Sequence, residues 1–301
     1  METQNKKVNL FLDSGAFSAY TQGTTVDLNE YIEFIKEHEN IIDVYANLDV
    51  IGDAEATWIN QRKMEKAGLH PLPVYHLDDS QEYLHRYLDK YEYIGLGGMA
   101  RGVVTNTRTK FLDRCFHTIC DTKDRLPKVK VHGFGLTSLR LMMRYPWYSV
   151  DSTSWVVTGR VGSVFIPKRR NGRYIYDEDS WKIVVSTKSP DKKEAGKHIS
   201  TLTPGEKKIL CSYIEEKGYK LGKSEFHDEK QDYVLKENEK WAQKKPTSKT
   251  DLRNVETIVE PGISNKYQLR DEMNIIYFLD LEKSMPEWPW PFKTEIQKKI
   301  F

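Results

Sequence analysis

Four side chains able to act as acid, base or nucleophile stand at the ends of short apolar runs. They are Asp13 in Leu10–Phe17, Asp49 in Val44–Ile51, His76 in Leu72–Leu77, and Asp151 after Tyr148-Ser149-Val150. Two further runs, Tyr93–Met99 and Val129–Gly135, end in glycine-rich turns. If these ends share one mouth, the carboxylates there repel one another and spread apart in proton affinity. A pair so arranged divides two tasks: one carboxylate attacks an anomeric carbon and the other manages a proton, as retaining glycosyl transfer requires. A third can accept hydrogen bonds from the ring N–H and amino donors of a guanine-like edge. Gly97 and Gly98 would let a flat base approach the backbone closely. Each group also has a structural alternative. Asp13 before Ser14-Gly15 can cap a turn, Asp49 can bond a neighbouring loop, and His76 can be a satisfied structural histidine. Cys115-Phe116-His117-Thr118-Ile119-Cys120 has a zinc-like spacing, but positions two and five apart do not share a helix face, so these read as structural thiols and no metal site is expected.

The elements that must position these groups follow from the pattern around them. Lys6–Leu12 reads as a strand, followed by a turn at Asp13-Ser14-Gly15. Asp27 precedes helical spacing at Leu28, Tyr31, Ile32 and Ile35, as an N-cap does. Ile41–Val50, His70–Leu77, Tyr93–Gly98 and Lys128–Gly135 read as strands, and a sixth carries Asp151. Between them Ala54–Ala67, Ser80–Tyr91, Thr107–Asp121 and Ser138–Arg144 read as helices, the first closed by Gly68. Alternation at about 20 to 35 residues implies parallel strands with right-handed crossovers. An open doubly wound sheet and a closed barrel both fit. Polar residues at the end of every strand favour an α/β fold of (β/α)8 TIM type, irregular, with C-terminal α+β additions.

Beyond Trp155 the pattern changes. Residues 1–160 are expected to hold the core βα units and the active site, and 161–301 to complete the barrel and bind nucleic acid. Val161–Pro167 and Arg173–Tyr176 are expected to form a hairpin around Asn171-Gly172. Trp181–Thr187 reads as a strand and Thr203–Lys217 as a helix closed by Gly218. Residues 223–256, polar and highly charged, read as one or two helices, and Tyr267–Lys283 as a helix packing back on the body. The aromatics of Pro286–Phe292 are expected to cover a surface of the domain.

The 301 residues, 39% hydrophobic and 30% charged, suit a soluble protein with an ordinary core. No apolar run approaches the roughly 20 residues a membrane span needs. Three cysteines and a polar N-terminus point to a cytoplasm. Net charge is only +2, but Lys168, Arg169, Arg170 and Arg173 form a basic knot of the kind that contacts phosphates.

Taken in order, Asp13-Ser14-Gly15-Ala16-Phe17, Asn47-Leu48-Asp49, Gly95-Leu96-Gly97-Gly98-Met99-Ala100-Arg101-Gly102, His132-Gly133-Phe134-Gly135 and Ser149-Val150-Asp151 resemble the tRNA-guanine transglycosylase superfamily over residues 8–160. Within it, Asp151-Ser152-Thr153-Ser154-Trp155 and the short N-terminus look more like the DpdA family, phage and bacterial enzymes that put 7-deazaguanine bases into DNA. The resemblance implies a (β/α) barrel and base exchange without a cofactor. It implies Asp151 as the nucleophile on the sugar C1′ and Asp13 as the general acid/base. Asp49 and the Gly97-Gly98-Met99 backbone would read the base, with Ser14 and Phe17 of the first motif and His76 beside them. The implied partners are DNA, a free base such as 7-cyano-7-deazaguanine and a helper protein, with no membrane. In a phage setting the place of action is the host cytoplasm. No Cys-x-Cys-x-x-Cys and histidine cluster follows Asp151, and no barrel segment precedes Asp13; both departures favour DNA over tRNA. A tRNA enzyme of unusual form, a non-catalytic nucleic-acid-binding partner and a nucleoside hydrolase are the rival expectations.

Overall fold

The computed structural model describes residues 9–99, 105–136, 138–188, 195–242 and 252–294. Ala100-Arg101-Gly102 of the glycine motif therefore lies outside the described residues. The chain is mixed α/β and divides into two compact units, Met1–Ser152 with Pro286–Phe301, and Thr153–Met285. Relative to a division at residue 160, the segment after Ser152 belongs to the second unit and the C-terminal stretch to the first.

The first unit alternates as its sequence implies. β1 (Leu10–Leu12) leads into α1 (Ala16–Thr21) and α2 (Leu28–Glu37). β2 (Ile42–Tyr45), α3 (Ala54–Lys66), β3 (Val74–Tyr75), α4 (Gln81–Leu88), β4 (Tyr93–Leu96), α5 (Thr105–Ile119), β5 (Lys130–Gly133), α6 (Leu139–Arg144) and β6 (Ser149–Val150) follow. Capping sets several helix starts: Asp27 accepts from the amides of Asn29 and Glu30, and Ser80 from that of Glu82. The strands are shorter than their apolar runs. His70–Leu77 contracts to two residues because Pro71 and Pro73 cannot donate to a ladder.

β1 pairs in parallel with β2, and β3, β4, β5 and β6 pair in parallel in chain order. A single parallel bridge between Ala46 and Leu72 connects the two sets. Neighbours thus follow the chain without the reversal of a doubly wound sheet. A flat array would hold β1 and β5 roughly 19 Å apart, four strand spacings. Instead the ring of Phe11 on β1 stacks on His132 of β5 at 4.4 Å and meets Phe134 edge-on at 5.8 Å. The array is therefore strongly curled, although no strand pairing joins β6 to β1 among the described residues. The core beneath α2 and α3 is built from Ile32, Ile35, Leu48, Met64 and Leu69. The C-terminal aromatics cover this unit as expected: Phe292 is buried and stacks on Tyr145 at 5.3 Å, and its amide donates to the carbonyl of Arg125.

The second unit opens with α7 (Ser154–Arg160) and β7 (Ser163–Ile166), then β8 (Lys168–Arg170), β9 (Arg173–Ile175) and β10 (Trp181–Val184). α8 (Pro204–Glu216), β11 (Lys223–Lys230), β12 (Glu239–Trp241), β13 (Leu252–Glu260) and α9 (Tyr267–Ser284) complete it. The hairpin around Asn171-Gly172 exists, with φ of 49° and 78° at the two turn residues, but its first strand is Lys168–Arg170. Val161–Pro167 does not contribute that strand. Its β7 portion buries Val164 and Ile166, so it pairs antiparallel with β10, which buries Ile183 in the same core. Residues 223–256 are likewise not helical where described. β11 and β12 flank β13 in an antiparallel sheet. β11 reads Lys-Ser-Glu-Phe-His-Asp-Glu-Lys, and its charged side chains mask the alternation that marks a strand. A capping box at Thr203 and Glu206 starts α8. α9 is bound by polar groups: buried Asn274 donates to the carbonyls of Trp155 and Ser163 and accepts from the Phe165 amide. Among the described residues no helix is long and apolar enough to cross a membrane.

Candidate active site

The ends of β1, β2 and β3 bring three of the expected residues into direct contact. Asp49 Oδ2 lies 2.8 Å from Nε2 of His76, and Oδ1 accepts from the Ser14 hydroxyl at 3.0 Å. A second carboxylate, Asp79, holds the other side of the same histidine. Its Oδ2 accepts from the His76 amide at 2.8 Å and lies 3.7 Å from Nδ1. Burial by itself would lower the imidazole pKa, but the hydrogen bonds and charges of Asp49 and Asp79 outweigh it and raise the group to about 9. At neutral pH His76 is therefore an imidazolium between two carboxylates. Asp79 was legible as a residue, lying in Tyr75-His76-Leu77-Asp78-Asp79, but its role depends on the turn that folds it back.

Asp13 follows β1 directly and is open to solvent on one side. Burial raises its carboxyl above the ordinary value, the charge on Asp49 adds to the rise, and the amides of Ser14 and Gly15 pull it back. Asp151 follows β6, about half exposed, with Oδ1 accepting from the Gly135 amide at 2.5 Å. Burial raises its carboxyl too, the Gly135 amide lowers it, and the charge on Asp13 raises it further. The curl of the array thus brings the ends of its first and last strands within electrostatic reach. Both carboxylates are held toward their acid forms, and both keep a face to solvent.

In the sequence His132 belongs to the turn motif His132-Gly133-Phe134-Gly135. It is a neighbour of the nucleophile candidate: Nε2 lies 3.8 Å from Asp151 Oδ1 and has no hydrogen-bond partner, while Nδ1 lies 2.6 Å from the Ser149 hydroxyl. The Tyr93 hydroxyl sits 2.6 Å from the same Ser149 oxygen. Burial lowers the imidazole to about 4, so His132 is neutral near pH 7. With Tyr93 donating to Ser149 and Ser149 to Nδ1, the ring proton lies on Nε2 and faces the carboxylate. The opposite order would aim a lone pair at an oxygen of like charge. The clue in sequence was the alternation of β6, which puts Ser149 and Asp151 on one side, but their partners lie on other strands.

The glycines have a specific steric cause. A Cβ on Gly97 would come within 2.8 Å of His76 Cδ2 and 2.9 Å of Nε2. Gly98 has φ of 74°, and its Cβ would meet the Leu77 amide at 2.9 Å. The end of β4 therefore approaches the His76 loop too closely for any side chain. Met99 is buried, while Phe17, the second residue of α1, is half exposed.

The basic knot is partly occupied. Lys168 lies over the Trp181 ring at 4.9 Å, Arg169 over Tyr174 at 5.4 Å, and Arg170 pairs with Glu178 at 2.8 Å; Arg173 is exposed at the turn. Cys115 and Cys120 are buried, and burial pushes both thiols up to about 12. Among the described residues no group of His, Cys, Asp and Glu is arranged to hold a metal ion. Comparison of the chain with models of protein families, with curated proteins and with solved structures finds no match.

Proposed function

We propose that the first unit is a base-exchange transglycosylase of (β/α)-barrel type that replaces guanine in DNA with a 7-deazaguanine. The observation that carries this reading is the pair Asp13 and Asp151, just after the first and last strands of a curled parallel array, both raised in proton affinity by burial, with the charge of Asp13 adding to the rise at Asp151. Two such carboxylates at one open mouth suit nucleophilic attack at an anomeric carbon with proton management beside it.

The target guanosine must leave the stack before its C1′ can be attacked. Asp151 then forms a C1′–Oδ bond as the C1′–N9 bond breaks, and the departing guanine takes a proton from Asp13. The incoming 7-deazaguanine returns a proton to Asp13, its ring nitrogen bonds C1′, and the ester breaks to restore Asp151. Gly135 and His132 keep the Asp151 carboxylate oriented through both steps. Asp49 reads the base with the lone pairs that Ser14 and His76 leave free, each carboxylate oxygen carrying two. The Gly97-Gly98-Met99 backbone and Phe17 line the base, and the hairpin of Lys168, Arg169, Arg170 and Arg173 contributes phosphate contacts that carry no sequence information.

The test offers duplex DNA, single-stranded DNA and tRNA, each with and without 7-cyano-7-deazaguanine, and reads the bases by mass spectrometry. The expected result is deazaguanine in DNA, abolished by Asp151→Asn with DNA binding retained. Exchange on tRNA alone would replace the polymer in this reading, and an abasic product would replace transfer with hydrolysis. Exchange by the Asp151→Asn variant would remove Asp151 as nucleophile. Binding without any reaction, with the helper protein supplied, would leave a non-catalytic nucleic-acid-binding role.

A further inference from the structure

The second unit contains a cavity of about 480 Å³ that the base-exchange reading does not use. Its wall holds four cationic side chains, Arg160, Lys188, Lys240 and Arg270, against a single carboxylate, Glu256. That imbalance is the first observation. Glu256 is fully buried on β13. Its Oε1 accepts from the hydroxyls of Ser224 at 2.7 Å and Thr187 at 3.2 Å, and its Oε2 faces the ammonium groups of Lys188 at 3.1 Å and Lys240 at 3.6 Å. Asp271, beside this wall, acts on Arg160 and Arg270, so two carboxylates stand against four cations and an excess of positive charge remains.

The cations are held in place. Lys188 Nζ also donates to the Trp241 carbonyl at 2.9 Å, and Lys240 Nζ to the Asn265 carbonyl at 2.6 Å. Arg270 is buried and donates through Nε to Gly159 and through Nη1 to Ile263, at 2.6 and 2.7 Å. Each ammonium has three N–H donors and the guanidinium five, so donors remain for a ligand after these contacts. Burial lowers the pKa of Lys240; Glu256 opposes this, and the charges of Lys188 and Lys266 add to the lowering. An anion in the cavity would relieve that repulsion.

The first turn of α9 also opens here, through Tyr267. No side chain caps this turn and it contains no acidic residue, so its amides add to the positive field. The Tyr267 ring is about half exposed at the rim. The volume falls in the range of small-molecule sites and has room for much more than a lone tetrahedral anion. A half-exposed ring and four cations lining one cavity match a ligand that is flat at one end and dianionic at the other.

We propose that this cavity binds one nucleotide unit, with its phosphate among Arg160, Lys188, Lys240 and Arg270 and its base against Tyr267. The unit is either a free nucleoside monophosphate or a residue of a nucleic-acid strand, which present the same chemistry. The site lies wholly within the second unit and does not depend on the base-exchange reading.

Calorimetric titration of the full chain with inorganic phosphate, deoxyguanosine, dGMP and a 5′-phosphorylated single-stranded decamer tests the proposal. dGMP should bind, deoxyguanosine should not, and phosphate should bind more weakly than dGMP. Lys240→Gln and Arg160→Gln should each weaken dGMP by about tenfold, the loss of one charge-assisted contact. Tyr267→Ala should weaken dGMP and leave phosphate unchanged. Lys240 and Arg160 are partly or fully exposed, and thermal melting of each variant confirms its fold. Decamer binding that needs Lys240 assigns the strand as the source, and dGMP binding without it assigns the free nucleotide. The proposal is overturned if no phosphate-bearing probe binds, if phosphate binds as tightly as dGMP, or if dGMP binding is unchanged in both cation variants.

Discussion

Nε2 of His132 stops 3.8 Å short of Asp151 Oδ1, although both side chains lie at the ends of neighbouring parallel strands. The distance is too long for a hydrogen bond and short enough for a directed N–H dipole to act on the carboxylate. The same oxygen accepts from the Gly135 amide, which makes the hydrogen bond that the histidine does not. Asp151 is thus held through Oδ1 while about half of its side chain stays open to solvent.

The histidine itself should show this in solution. His132 should remain neutral down to about pH 4, with its proton on Nε2. Long-range ¹H–¹⁵N correlation spectra of the imidazole check both points. Ser149→Ala should change the tautomer balance, and an Nδ1-protonated ring in the unaltered protein would overturn the assigned Tyr93–Ser149–His132 order.

His76 and His132 together should shape stability against pH. The folded-state pKa of His76, about 9, lies above the ordinary 6.5. Its contribution is complete below about pH 6.5 and is lost as pH rises through 9. It amounts to at most about 3 kcal/mol. The His132 pKa, about 4, lies below the ordinary value, so the unfolded chain takes up the proton more readily and stability falls as pH drops from about 6.5 toward 4. Urea unfolding across this range should peak near pH 6.5. His76→Gln should flatten the alkaline limb and leave the acid limb in place.

The raised carboxyls work in the other direction. A carboxylate whose folded pKa lies above its unfolded one destabilises the fold once ionised. Asp13→Asn and Asp151→Asn should therefore raise the melting temperature at pH 7 while removing the proposed base exchange, the trade-off expected of strained sites. Solvent screening keeps each gain below about 1 kcal/mol. Equal or lower melting temperatures in both variants would count against the electrostatic tension described for this pair.

Gly97→Ala should cost about 1 to 3 kcal/mol, because the added methyl would push the His76 ring out of its contacts with Asp49 and Asp79. The effect is local. Besides a lower melting temperature, the variant should lose the alkaline stability limb, since the ring can no longer hold its place beside Asp49. Alanine at Gly172, where the hairpin turn is open, should leave that limb intact.

Much of the first unit was legible from residues alone, because the signals are local. An N-cap aspartate at 27, a serine at 80, and apolar runs ending in Asp13, Asp49, His76 and Asp151 dictate strand, turn and helix within a few residues of themselves. Where the sequence reading failed, the signal was not local. Lys223–Lys230 is a strand because Leu252–Glu260 lies beside it, and its charged side chains alternate without an apolar face to announce it. Val161–Pro167 belongs with β10 because Val164 and Ile166 needed a second apolar strand more than a turn partner. The amino-acid order thus determined which carboxylates and histidines stand at strand ends. The tertiary structure decided what each of them faces. Asp79 comes beside His76 through the turn after β3, Ser149 beside His132 through the pairing of β5 with β6, and the charge of Asp13 reaches Asp151 through the curl of the array; burial and neighbouring charge, which set proton affinity, exist only once the chain has closed around them.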